Sequence, residues 1–461
     1  MIPYDLIVIG GGPAGYVGAI RAAQLGKRVA LVEKERAGGT CLNWGCIPTK
    51  SLLRNAEIYS LMKDHADDFG LHVTELQYDW TKIIGRSRKV ADRLAGGIEF
   101  LLKKNKVDYY LGEATILKPG QVTVLKKDST EELLAAPKIL LATGVTPREM
   151  PDFPMNGTSV IGSRQAMALT TQPKEIIIIG AGAIGIEFAY FFNSFGTKVT
   201  VLEMMPHILP HEDTEVSMAL EKALSRKGIR FLTSTKVVKA EAEENQVSVT
   251  VSGKKEETLL APLALVAIGV KALLPKRRGV DLNLDEKGYL CVNSNYETNI
   301  PGIYGAGDLI GPPWLAHVAS WEAIQAIEGM FGKRKPQRSR VFPGCTYCQP
   351  QVASVGLTER AAEEKGLKVK IGKFPFQASG KAQAMGETEG FVKLLFNEPH
   401  GEIVGAHIIG AEATEMIAEL GLAITLEATY EEIASTIHAH PTLSEAVMEA
   451  TEASHGQAIH C

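Results

Sequence analysis

Apolar residues gather near the start of the chain in a run too short for a helix. Leu6-Ile7-Val8-Ile9 follows the polar Asp5 and leads straight into Gly10-Gly11-Gly12-Pro13-Ala14-Gly15. Four consecutive apolar positions closed by glycine predict a strand buried on both faces. Tyr16 to Leu25 then reads as a helix, and after Gly26 comes a second apolar strand, Val29-Ala30-Leu31-Val32, ending at Glu33. Strand, glycine-rich turn, helix, strand and acid in this order predict a dinucleotide-binding unit. The turn glycines Gly10, Gly12 and Gly15 permit a sharp bend, let the backbone approach a pyrophosphate and seat the helix on the sheet. The helix N-terminus offers N–H groups to the anion, and Glu33 can accept from ribose hydroxyls.

The same pattern recurs. Ile176-Ile177-Ile178-Ile179 leads into Gly180-Ala181-Gly182-Ala183-Ile184-Gly185, then a helix, then Lys198-Val199-Thr200-Val201-Leu202-Glu203. Gly10 to Gly180 and Glu33 to Glu203 are both offset by 170 positions. An internal duplication of a nucleotide-binding fold follows, with one dinucleotide expected in each copy. Glu203 stands where a 2′-phosphate would have to sit, and Met204-Met205-Pro206-His207 supplies no arginine to neutralise one. The second copy is therefore expected to take NAD, not NADP.

The chain has 461 residues, enough for about three domains of ~150 residues. With 45% hydrophobic and 22% charged residues it can bury a substantial core, which excludes a disordered or fibrous chain. Its 49 basic and 53 acidic residues leave a net charge of -4, so no basic footprint for nucleic acid or an anionic membrane is present. No apolar run approaches the ~18 residues of a membrane span, and no basic region precedes the first apolar run. These features predict a protein with no signal peptide, in the cytoplasm or an equivalent matrix.

Six cysteines are too few for a disulfide scaffold, so a close pair points to catalysis or metal. Cys41 and Cys46 form that pair, in Gly38-Gly39-Thr40-Cys41-Leu42-Asn43-Trp44-Gly45-Cys46-Ile47-Pro48-Thr49-Lys50, a few residues after the first unit. Two thiols beside a nucleotide are best explained if that nucleotide is FAD, which can exchange an electron pair with both sulfur and a nicotinamide. The rival is a zinc site completed by Cys345 and Cys348, disfavoured by the four residues between the first pair. Cys345, Cys348 and Cys291 read instead as buried apolar thiols, and no metal is expected.

The stretch from Gly39 to Lys50 resembles the redox loop of the pyridine nucleotide-disulfide oxidoreductases. The likeness extends over both glycine turns, Ala142-Thr143-Gly144, Ile303-Tyr304-Gly305-Ala306-Gly307-Asp308 and His438-Ala439-His440-Pro441-Thr442-Leu443-Ser444-Glu445. Within the family it is strongest to members that pass electrons from protein-bound dihydrolipoamide to NAD⁺. The resemblance implies that Cys41 attacks the substrate disulfide while Cys46 faces the flavin. The helix expected to start near Pro48 would favour the Cys46 thiolate. His440, held by Glu445, would be the proton carrier, in preference to His438. The resemblance also implies FAD contacts at Gly10, Gly12, Gly15, Glu33, Lys50, Thr143, Gly144, Asp308 and Ala316. NAD contacts fall at Gly180, Gly182, Gly185, Glu187, Glu203 and Gly269, with Glu187 paired to Lys50. A homodimer is implied too, serving lipoyl domains of 2-oxo acid dehydrogenase or glycine-cleavage complexes, with Cys41 of one chain facing His440 of the other. A flavin-holding structural or sensory subunit without turnover is the alternative from another class; the two cysteines with His440 and Glu445 weigh against it.

The expected fold is α/β: two Rossmann-like dinucleotide-binding domains plus a C-terminal α+β dimerisation domain. Residues 1–147 would form the first part of the FAD domain, 148–271 the NAD domain, 272–340 the return to the FAD domain and 341–461 the interface domain. Pro147 to Pro154 and Leu274-Pro275 mark the crossings. The last domain is expected to hold an alternating strand from Gln351 to Leu357 and an amphipathic helix around Ala413 to Leu426.

Overall fold

The computed structural model describes residues 2–243, 246–332, 334–338 and 341–461. They fall into two units, each assembled from three pieces of chain. The first takes the described residues up to Ser51, Thr81–Arg148 and those from Gly269 to 338; the second takes Leu52–Trp80, Glu149–Ile268 and those from 341 onward. Arg340, where the third expected segment ends, lies outside the described residues.

In the first unit the strands Val29–Glu33, Leu6–Ile9, Lys138–Leu141 and Ile303–Gly305 lie side by side in that order, all parallel. Val29–Glu33 also pairs in parallel with the start of Asp108–Lys118, which then turns into an antiparallel meander with Gln121–Lys126 and Glu131–Ala135. Leu6–Ile9 and Val29–Glu33 are buried at every position, as strands covered on both faces must be. The first helix spans Pro13–Gln24, three residues earlier than the apolar pattern indicates, because proline fits the first helical position, where no N–H partner is needed. It packs beside the Ala316–Phe331 helix, with Ala14, Ala19, Ala22, Ala319 and Ala323 letting the two approach.

The second unit repeats the motif. Arg230–Leu232, Lys198–Leu202, Glu175–Ile179, Ala264–Val266 and Val160–Ile161 form a parallel sheet in that order. Leu6 stands opposite Val29, and Glu175 opposite Lys198, so the two copies share their register as well as their order. They differ in where the last strand comes from: Ile303–Gly305 follows its module in sequence, whereas Val160–Ile161 precedes it.

Residues beyond 341 form an antiparallel sheet in the order Gly344–Thr346, Gln351–Gly356, Ile403–Gly410, Phe391–Asn397, Val369–Pro375, with the helices Ala413–Thr425, Tyr430–Ser435 and Glu445–Ala453. The expected alternation in Gln351–Gly356 is broken, since Val352, Ala353 and Val355 are all buried. It is an interior strand, flanked on both edges and covered by Ala413–Thr425. The architecture is the α/β fold expected, with two Rossmann-like modules and a C-terminal α+β domain.

Candidate functional site

The redox loop is built onto the first glycine turn. Gly38 N–H donates to Gly11 O at 2.8 Å, and Gly39 lies so close to Gly12 that a Cβ there would stand 2.5 Å from the Gly12 Cα. Cys41 lies in the short helix Gly39–Trp44, and Asn43 holds its entry, donating from Nδ2 to Ala37 O at 3.0 Å and Gly39 O at 2.9 Å. The next helix, Cys46–Asp64, starts at Cys46 itself, two residues before the expected Pro48. Cys46 thus occupies the end of the helix where peptide dipoles favour negative charge. The two thiols are hydrogen-bonded to each other. That bond, burial and the charge of Cys46 push the Cys41 thiol up, while Lys50 draws it the other way. A proton is therefore kept on Cys41, and the two thiols are close to each other.

Each glycine turn sits on its own acid. Glu33 Oε2 accepts Gly11 N–H at 2.6 Å and Oε1 accepts Glu35 N–H at 2.7 Å. In the second turn Glu203 Oε2 accepts Ala181 N–H at 2.8 Å and Oε1 accepts Met205 N–H at 2.8 Å. Gly10 and Gly180 share a φ of 105°, and a Cβ at either would collide with a carbonyl oxygen, of Ala142 or Ala267. At Gly12 and Gly182 the opposite holds: a Cβ would meet only the Gly39 Cα at 3.8 Å, or nothing. Both helices that follow have a glycine N-cap and no capping side chain. This is a cradle that a side chain would fill, and it fits a pyrophosphate.

In the first unit Thr143 Oγ1 donates to Leu273 O at 2.5 Å, and Leu273 N–H donates to Gly144 O at 2.9 Å, so the turn after Lys138–Leu141 is tied to the returning chain. Asp308 is the second residue of the Gly307–Ile310 turn, and burial pushes its carboxyl up to about 6. Glu322 accepts Gly307 N–H at 2.9 Å, and burial raises it as well. A buried acid of this kind fits a ligand whose hydroxyls donate to it, as the ribityl chain of FAD would. Ala316 starts the Ala316–Phe331 helix, and Lys50 lies on the Cys46–Asp64 helix.

The remaining expected residues, apart from Gly269, belong to the second unit. Glu187 is buried in Ala183–Ser194, where Oε1 accepts Tyr347 N–H at 3.1 Å. Gly269, with φ of 100°, lies in the first unit at the crossing that follows Ala264–Val266. His440 Nδ1 and Glu445 Oε1 are 2.9 Å apart, and Glu445 Oε2 accepts Thr442 N–H at 2.8 Å. Burial works against the Glu445 charge, but Thr442 and His440 hold the carboxyl below its usual range. His438 is occupied elsewhere, with Nε2 2.7 Å from Glu419.

The other cysteines depart from the expectation of three buried thiols. Cys348 is buried and donates to Pro350 O at 3.3 Å, Cys345 is half-buried, and Cys291 is exposed in a loop outside any strand or helix.

The residues that brace the loop between the cysteines stand in no motif of the sequence. Arg88, on the Trp80–Lys104 helix, stacks its guanidinium 4.0 Å from the Trp44 ring centroid and donates to Asn43 O at 2.6 Å. Trp44 Nε1–H donates to Glu35 Oε1 at 2.9 Å. Nothing in the helix around Arg88 marks it; the one sequence signal available is Trp44, a large ring that needs a partner for its N–H.

Residues 4–323 match the pyridine nucleotide-disulphide oxidoreductase family model, and residues 342–451 match the family's dimerisation domain. The chain is 45% identical over 464 residues to the dihydrolipoyl dehydrogenase of Zymomonas mobilis and 44% identical over 473 residues to that of Bacillus subtilis, covering 99% of both chains in each case. Among solved structures it is similar to LpdA from Mycobacterium tuberculosis, with TM-score 0.89 and 26% identity over 97% of this chain and 99% of that one. It is also similar to the HOCl-induced flavoprotein disulfide reductase RclA from Escherichia coli, with TM-score 0.86 and 26% identity over 97% and 99%.

Proposed function

The chain belongs to the pyridine nucleotide-disulphide oxidoreductase family, and from that premise we propose that it oxidises protein-bound dihydrolipoamide to lipoamide and reduces NAD⁺. The observation that carries this reading is the hydrogen-bonded pair Cys41 and Cys46, fastened through Gly38 and Gly39 to the first glycine turn.

In the oxidised pair, one sulfur of the lipoyl dithiol attacks Cys41 and displaces Cys46. The second lipoyl sulfur then displaces Cys41, closing the lipoyl disulfide and leaving two cysteine thiols. The substrate loses two electrons and two protons in this exchange. His440 of the partner subunit takes the proton of the attacking thiol, with Glu445 fixing the ring. Gly10, Gly12, Gly15 and Glu33 would hold the adenosine end of FAD, with Thr143, Gly144, Asp308, Ala316 and Lys50 along the rest. Bound FAD supplies a two-electron carrier between the cysteines and the nicotinamide. Gly180, Gly182, Gly185, Glu187, Glu203 and Gly269 would hold NAD. The lipoyl domains of a 2-oxo acid dehydrogenase or glycine-cleavage complex are the protein partners of this reading. The dimerisation domain supports a homodimer. Among the described residues no helix is long and apolar enough to cross a membrane, which accords with a cytoplasmic enzyme.

The test is NAD⁺ reduction by dihydrolipoamide in the flavin-loaded protein. Turnover is expected in the unmodified chain and absent in Cys41→Ser and Cys46→Ser. A chain that carries flavin yet transfers no electrons from dihydrolipoamide to NAD⁺ would overturn the reading.

A further inference from the structure

Among the described residues of the second unit, Lys393 is the least exposed charged side chain. Its side chain is 1% exposed, on the wholly buried strand Phe391–Asn397 of the C-terminal domain. Its Nζ lies 2.7 Å from Glu359 Oε2, 3.0 Å from Glu215 Oε2 and 3.0 Å from Asp213 Oδ1. Burial works against the ammonium, but these three carboxylates hold it above the ordinary lysine range. His407 stands opposite Lys393 on the neighbouring strand; burial holds it in the neutral form, its Nε2 2.9 Å from Leu357 O. Glu359 and Glu215 are half-exposed, but Asp213 is 3% exposed and belongs to the other domain of the unit.

Asp213 is the N-cap of Thr214–Arg226 and accepts Glu215 N–H at 3.1 Å. The segment before it, from Glu203 to Asp213, contains no strand or helix. Within that segment Leu209 has a φ of 44°, a strained value for a branched apolar residue. Leu209 N–H donates to Ala181 O at 2.9 Å, and Leu209 O accepts Ser217 Oγ–H at 3.2 Å. Ala181 belongs to the second glycine turn, whose other face is held by Glu203. The turn is thus clamped from two sides, and one clamp ends on Asp213 and Lys393.

We propose that Lys393 is a positioning residue for the dinucleotide at the second glycine turn. This rests on the reading of that turn as the NAD site. An ammonium fixed in a packed strand gives the Leu209 to Asp213 segment a rigid anchor, and through Ala181 it sets the backbone that faces the pyrophosphate. The lysine touches neither dinucleotide nor thiol, so its removal should weaken dinucleotide binding and spare thiol exchange.

The experiment compares the flavin-loaded, oxidised unmodified protein with Lys393→Met. NAD⁺ affinity is read by titration calorimetry, and the dithiol step by the rate of flavin reduction on mixing with dihydrolipoamide. Lys393→Met should bind NAD⁺ five- to tenfold more weakly, with flavin reduction changed less than twofold. Lys393→Arg should restore affinity to within threefold. If Lys393→Met does not fold, Asp213→Asn serves instead, because asparagine also caps a helix; it should weaken NAD⁺ binding at least threefold. NAD⁺ affinity within twofold of the unmodified protein, or an equal fall in both measurements, overturns the proposal. The oxidised protein has no hydride to give NAD⁺, so binding is measured without reaction, and a protein that binds NAD⁺ but does not oxidise dihydrolipoamide fails the proposed activity alone. An unmodified protein that does not bind NAD⁺ overturns both.

Discussion

His440 presents Nδ1 to Glu445 Oε1 at 2.9 Å. A carboxylate accepts and cannot donate, so Nδ1 carries the hydrogen and Nε2 of the neutral ring is the basic nitrogen. Glu445 is itself held by Thr442 N–H at 2.8 Å, which leaves the ring one favoured orientation.

Glu445→Gln should therefore slow the dithiol step while leaving hydride exchange between flavin and NADH within twofold. General acid–base catalysis is worth about 10²–10⁴-fold, and a misoriented base should forfeit at least tenfold of it. Rapid-mixing measurement of the two half-reactions decides; an equal loss in both would show a general structural defect instead.

Mixed dimers made from a Cys41→Ser chain and a His440→Ala chain should regain activity, although each parent homodimer is inactive. One of the two sites then combines an intact Cys41 with an intact His440 across the interface. Purified heterodimers as inactive as their parents would place both residues of a site in one chain.

Glu203 has both carboxylate oxygens fixed by backbone N–H groups, so it cannot swing away from a 2′-phosphate. Discrimination for NAD⁺ over NADP⁺ in kcat/KM should be at least a hundredfold, about 2.8 kcal/mol. Steady-state rates with the two cofactors test this, and comparable values would refute it.

Burial pushes the Glu212 carboxyl up to about 7, aided by the charge of Asp213 and opposed by a hydrogen bond from Ser354. Its Oε2 is buried with no hydrogen bond. Folding favours the protonated acid, so its stabilising contribution is complete below the ordinary value of 4.5 and is lost as pH rises through about 7. Glu212→Gln should gain about 2 kcal/mol over the unmodified protein between pH 5 and pH 8.5, in urea unfolding of the flavin-loaded form. A difference that does not change with pH would count against it.

What the sequence made legible was local. Gly10, Glu33, Gly180 and Glu203 lie within one strand–turn–strand unit each, and their spacing alone places each acid beside its turn; the backbone N–H groups that both acids accept are visible only in the structure. Lys393 and Arg88 were not legible, because their partners lie far along the chain and neither stands in a motif. The start of the Cys46–Asp64 helix was misplaced because Pro48 is an attractive first helical residue; the third position suits it too, since no N–H there needs a partner inside the helix. Residue type alone predicts a buried Cys291, but a thiol in a loop follows the loop, and Cys291 is exposed.

The late arrival of Ile303–Gly305 also shapes how this protein is born. Lys138–Leu141 emerges from the ribosome with one edge open, and its partner follows about 160 residues later, roughly 8–30 s at ~5–20 residues per second. The sheet running from Val160 to Val266 is contiguous in sequence and can close in the interval. The nascent chain thus carries a finished module beside an unfinished one, whose bare strand edge invites mispairing until translation supplies the cover.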